Sequence, residues 1–267
     1  MNSHKFILFC AALMVCSCKK IVTLKLNTAP AQIVIEGEIT DQPGPYTVSI
    51  SQTVGFYEDN TFPPVSGASV TISDNTNGIT DSLTEVVPGT GIYSTYDMQG
   101  VAGHTYTLSV TSQQKNYMAT STMPMPVPLD SITFSQISGF GNNQIDAIVN
   151  FQDPPGIQNY YQFVEFVNGA QITKDIFVFD DRLSDGKYIN HTLYNDTSYI
   201  FQGDEVQVNM YCIDENVYNY FYQLVQSGGT GAFSTTASPA NPTSNISNGS
   251  LGYFSAHTVT SKERVVY

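Results

Sequence analysis

Between Gln32 and Met123 apolar and polar residues alternate with a period of two. Ile33, Ile35, Gly37 and Ile39 take one face of a strand, with Val34, Glu36 and Glu38 on the other. Tyr46, Val48 and Ile50 point inward while Thr47, Ser49 and Ser51 point out, which predicts an antiparallel sheet with one wet face. Ala68–Ser73, His104–Thr111 and Tyr117–Met123 continue the pattern, with Tyr106, Leu108 and Val110 inward. Turns rich in Gly, Pro, Asn and Asp separate these runs, as in a β-sandwich of roughly seven strands.

Met123-Pro-Met-Pro-Val-Pro128 then places proline at every second position. Each proline removes a ladder donor, so the segment predicts an extended spacer and a domain boundary. Further strands are expected at Ser131–Ser138, Ile145–Phe151, Tyr160–Val167, Ile172–Phe179 and Glu205–Ile213. Asp214 caps one predicted helix over 214–227, with Glu215 in the first turn and Val217, Phe221 and Leu224 as its packing stripe. Gly228–Gly249 reads as a long loop, of a kind that is either functional or flexible, before strands at Leu251–Thr260 and Arg264–Tyr267. The expected fold is mostly β: two sandwich domains of immunoglobulin or transthyretin type, the second carrying the helix. The domains are 32–123 and 129–267, joined by the Pro-rich linker 124–128.

Composition agrees with this reading. Only 12% of the 267 residues are charged, about a fifth are Ser or Thr, and 20 Gly and 13 Pro supply turns. The net charge of −13 argues against nucleic acid, whose phosphates need clustered Lys and Arg.

The first residues follow another pattern. Phe6 to Val15 is apolar apart from one Cys, the length of a secretion-signal core and too short to span a bilayer. It runs into Val15-Cys16-Ser17-Cys18, which resembles the lipobox of bacterial lipoproteins and marks Cys18 for lipidation. Residues 1–17 are then signal and 18–31 a tether. With Cys10 and Cys16 removed and Cys18 acylated, Cys212 stands alone, so the mature chain has no disulfide. Cys212 shares a strand face with Val206, Val208 and Met210 and reads as a small buried hydrophobe. Several acyl chains give stable anchoring, so the membrane is the first expected partner.

Catalytic motifs are not found: there is no nucleophile elbow, zincin helix, P-loop or dinucleotide fingerprint, and no cofactor is expected. His104, His191 and His257 are scattered, without carboxylates at a recognisable spacing. The chain is therefore expected not to be an enzyme. Two segments could bind. Asp180, Asp181 and Asp185, followed by Gly186, offer oxygens that Ca²⁺ accepts, although an Asp-Gly turn without metal is the stronger reading. Phe56, Tyr57 and Phe62 form an aromatic loop that either meets a sugar or protein or covers the end of the sandwich, the second being the blander reading.

Ile33–Asp41, Gly44–Val48, Phe62–Ile72, Gly103–Val110, Gly203–Val206 and Gly252–Ala256, in this order behind a lipobox, resemble the Bacteroidota lipoproteins carrying domain of unknown function 4249. The resemblance implies a cell-envelope lipoprotein of the outer membrane, often found beside a TonB-dependent β-barrel receptor. It supplies no catalytic residues. Lys19 and Lys20 stand where acidic residues often favour surface export in this phylum, so the face of the membrane stays open. Asp81-Ser82-Leu83 and Asp130-Ser131-Ile132 resemble its O-glycosylation acceptors. The expected function is a non-catalytic binding or accessory subunit beside such a transporter. The alternative is a surface adhesion or glycan-binding lipoprotein.

Overall fold

The computed structural model describes residues 30–55, 58–59, 61–139, 142–195, 199–228 and 240–267. Cys18, the signal and most of the tether lie outside them, as do Phe56 and Tyr57. Among the described residues the chain is mostly β. The first seven strands are β1 (Ile33–Thr40), β2 (Thr47–Gln52), β3 (Ser69–Asp74), β4 (Thr80–Glu85), β5 (Ile92–Ser94), β6 (Thr105–Ser112) and β7 (Lys115–Thr122). Next come β8 (Ser131–Gly139), β9 (Asn142–Gln152), β10 (Tyr160–Val167), β11 (Ala170–Gln171), β12 (Phe177–Asp180), β13 (Tyr188–Leu193) and β14 (Glu205–Ile213). Helix α1 (Glu215–Gly228) and the long β15 (Leu251–Val265) end the chain.

Two open sheets result. One runs β11-β10-β14-β15-β1-β2-β5-β4-β3-β6-β7, with β12 also beside β10, and the other is β13-β9-β8. The join between halves is β15. Its first part pairs in parallel with β1 from Val34↔Leu251 to Thr40↔His257. Its second part pairs antiparallel with β14 from Cys212↔Thr258 to Glu205↔Val265. The two final strands expected from the sequence are therefore one, and the halves share it.

Alternation sets the cores. Ile35, Ile39, Val48, Ile50, Tyr93, Tyr106, Leu108 and Val110 fill the first, together with Ile246, Phe254 and Ala256 from far along the chain. In the second, Ala147, Val149 and Phe151 of the small sheet meet Tyr161 and Phe163 of β10 and Val206, Val208, Met210 and Cys212 of β14. The ring of Phe151 lies 4.9 Å from that of Tyr161, edge-on. Cys212 is buried as expected, and burial pushes its thiol up.

The Pro-rich segment is packed instead of standing free as a spacer. Met123 is in the first core and Val127 in the second, and the Val127 amide donates to Cys212 Sγ at 3.4 Å. Helix α1 starts as its sequence dictates: Asp214 Oδ1 accepts from the Val217 amide at 3.0 Å. Asp214 also accepts from the Ser121 hydroxyl of β7, whose oxygen in turn accepts from the Ala256 amide at 2.8 Å. One capping residue thereby ties the helix to the first half. The helix lays Val217, Tyr218 and Phe221 against Tyr160, Tyr211 and Tyr253 on the outer face of the large sheet.

Candidate functional site

The helix does not cover that face completely. Between α1, the 172–176 segment and strands β1, β10, β14 and β15 lies a cavity of about 300 Å³. Its walls follow from strand parity. Phe254 and Ala256 point into the first core, so Tyr253, Ser255 and His257 must point the other way. Val208 and Met210 face the second core, which turns Tyr211 outward. Glu38 of β1 sits beside Ser255 in register and shares the cavity with Gln162, Asp175 and Phe221.

The lining combines flat rings with polar atoms. The imidazole of His257 stacks on Tyr211, ring centroids 4.4 Å apart, and its Nδ1 lies 2.9 Å from the Ser255 hydroxyl. Phe221 meets Tyr253 edge-on at 4.8 Å, and Tyr220 lies 5.1 Å from the same ring. Burial holds His257 neutral by dropping it to about 3, and desolvation by the cavity walls pushes the carboxyl of Glu38 up although the residue as a whole is exposed. Tyr211 and Tyr253 are raised for the same reason. Ser255 and His257 are 2% and 3% exposed, so this serine–histidine pair is set into the cavity floor. Stacking surfaces beside neutral or acidic hydrogen-bonding groups suit a ring-bearing ligand with hydroxyls.

The acidic loop is arranged differently from its sequence. Asp180 grips Arg182, with Nε and Nη2 both at 2.8 Å, and accepts from the Tyr218 hydroxyl at 2.6 Å. The paired guanidinium holds the Asp180 carboxyl below its usual range. Asp153, from the end of β9, takes the place beside Asp181 and Asp185, and one oxygen from each lies within 4.8 Å of the others. Each of these carboxylates accepts at least one hydrogen bond from the protein. Asp153 accepts from the Tyr161 hydroxyl at 2.5 Å and the Gly186 amide at 2.9 Å. Asp181 accepts from the Asn159 amide at 2.9 Å, and Asp185 from the Gly156 amide at 2.8 Å. Three backbone amides and the Tyr161 hydroxyl thus hold the three carboxylates in place around the turn.

Phe62 is 54% exposed at the edge of its loop, while its expected companions Phe56 and Tyr57 are outside the described residues. Of the long loop, residues 240–249 are described. Ile246 enters the first core, and Ser247 exchanges two 2.8 Å hydrogen bonds with Met118 on the edge of β7. Ser82 is exposed on β4, and Ser131 opens β8 half-buried. Among the histidines, His104 does have a carboxylate partner: its Nδ1 lies 2.7 Å from Asp74 Oδ2, a pairing made across 30 positions that spacing does not reveal. No helix among the described residues is long and apolar enough to cross a membrane.

A family model described as a domain of unknown function (DUF4249) matches residues 19–263. No curated protein matches the chain. Among solved structures, a DUF4785 family protein from Legionella pneumophila is 12% identical over 67% of this chain, at a TM-score of 0.25. The chain spans about half of that protein, 52%, and so distant a likeness adds nothing to the functional reading.

Proposed function

The chain belongs to the family defined by this domain of unknown function, and from that premise we propose that it is a lipid-anchored protein of the bacterial outer membrane. In this reading it works by binding, as a non-catalytic accessory subunit beside a TonB-dependent transporter, and its body is two sandwich-like units of immunoglobulin or transthyretin type. The observation that carries the reading is one of position: the family match begins at residue 19, directly behind the lipobox-like Cys18, and runs through nearly all of the remaining chain. A lipid on Cys18 confines the body to the membrane plane and raises its effective concentration near an integral partner.

The test is crosslinking on intact cells, followed by tagged capture and mass spectrometry of the detergent extract. Enrichment of one TonB-dependent barrel, lost together with membrane fractionation in Cys18→Ser, is the expected result. Recovery of this protein alone would retire the transporter assignment. A second reading, a surface glycan-binding lipoprotein, draws on the cavity, where Tyr211, Tyr253 and Phe221 stand beside Glu38 and Asp175. It expects selective glycan-array binding that Tyr253→Ala abolishes, and protease sensitivity on intact cells.

A further inference from the structure

A second polar cluster lies where the small sheet approaches β10. Asp146 of β9 is 0% exposed, Glu165 of β10 is 1% and Asn195, just beyond β13, is 4%. Asn195 joins the other two. Its backbone amide donates to Asp146 Oδ1 at 3.3 Å, and its side-chain amide donates to Glu165 Oε2 at 2.9 Å. Gln144 adds donors to Asp146 Oδ1 at 2.9 Å and to the Asn195 carbonyl at 2.6 Å. Ser135 stands opposite Asp146 in the β8–β9 register.

Asp146 Oδ2, Glu165 Oε1, Asn195 Oδ1 and Ser135 Oγ are buried oxygens with no hydrogen-bond partner among the described residues. Buried acceptors are almost always satisfied, and leaving one bare costs about 1–3 kcal/mol. Four in one linked group, two of them on carboxylates, ask for an electron-poor species to meet them. No ion pair to Asp146 or Glu165 is formed among the described residues. Burial raises Glu165 to about 7, with Asp146 and Asp175 adding to the shift. A proton placed there would serve at most two of the four oxygens. A hard divalent cation would serve them all.

We propose that Asp146, Glu165, Asn195 and Ser135 form a buried Ca²⁺ site that fastens the small sheet to β10. The chemistry selects the ion. All four donors are oxygens, which exclude soft metals, and two carboxylates balance a charge of +2. The neutral amide and hydroxyl donors come from separate segments, in an irregular set that suits the variable shell of Ca²⁺ better than the strict octahedron of Mg²⁺. Water completes the coordination. This site is separate from the Asp153, Asp181 and Asp185 turn, where each carboxylate accepts from a donor of the protein.

The full chain, purified in detergent and stripped with EDTA, is titrated with CaCl₂ by calorimetry and by thermal unfolding. One Ca²⁺ binds, and at a hundredfold excess over Kd the unfolding midpoint rises by about 5–10 °C. Glu165→Gln weakens the affinity at least tenfold, whereas Asp185→Asn in the other cluster leaves it unchanged. If Glu165→Gln does not fold, Asp146→Asn is read in the same way. Absence of both heat and a midpoint shift in the parent chain would overturn the proposal. So would a response that Asp185→Asn removes and Glu165→Gln spares.

Discussion

His257 couples the cavity floor to stability through a single proton. Its folded value, near 3, lies below the ordinary value of 6.5 because burial disfavours the imidazolium. Protonation therefore favours the unfolded chain. The stability that the neutral ring contributes is complete above pH 6.5 and is lost as pH falls toward 3, at about 1.4 kcal/mol per pH unit. Glu38 in the same cavity acts in the opposite sense, since its raised carboxyl loses stability as pH rises. His257→Phe retains a ring against Tyr211, removes the titration and leaves Glu38 in place. Denaturant curves from pH 6 to 4 are expected to show the parent losing stability more steeply than the variant by that slope. Parallel curves would mean that the imidazole is hydrated in the folded protein.

Among the elements, β15 carries the most constraint. At its start Gly252 has φ +92°, and a Cβ there would lie 2.0 Å from the Ile35 carbonyl oxygen. The parallel pairing with β1 requires that close approach, because Ile35 and Gly252 are register partners. Gly252→Ala is expected to cost roughly 3 kcal/mol or more, from a left-handed backbone and a clash that only strand separation relieves. Gly78→Ala has φ +77° but open space around it, and should cost about 1 kcal/mol, so comparing urea midpoints separates the two causes. The same strand shows what the sequence could express. Strict alternation located Tyr46, Val48 and Ile50, and also Val206 through Cys212, because each of those strands has one dry face. The helix was legible from Asp214 and its stripe. β4 was not, since Leu83 is its only buried side chain. Ile172 to Ile176 looked like the start of a strand, yet Ile172 and Ile176 line the cavity, and pairing with β10 resumes only at Phe177. The cavity itself stayed hidden. Its lining comes from six separated stretches, and only folding lays α1 over the other five.

Across the whole molecule, the position of β15 decides whether the first half can stand alone. A boundary at 124–128 assigns residues 32–123 their own core, and most of that core is indeed local. Residues 246–256 are nonetheless built into it. Phe254 is fully buried there with Ile246 and Ala256, β15 covers β1 over seven register pairs, and Ser247 covers the edge of β7. Removing Phe254 alone forfeits about 2–3 kcal/mol of burial. Losing Ile246 as well, and leaving β1 as a bare edge, raises the loss to the scale of a small domain's whole stability, about 5–15 kcal/mol. A fragment of residues 30–128 is therefore expected to show no cooperative urea transition by circular dichroism. The same fragment joined through a flexible linker to residues 244–260 should regain one, because that stretch returns both the missing core residues and the partner of β1. If 30–128 folded cooperatively by itself, the first core would be self-sufficient and β15 only a strap laid across it. If neither fragment folded, the α1–Asp214–Ser121 connection would be needed too, and the two halves would form one folding unit.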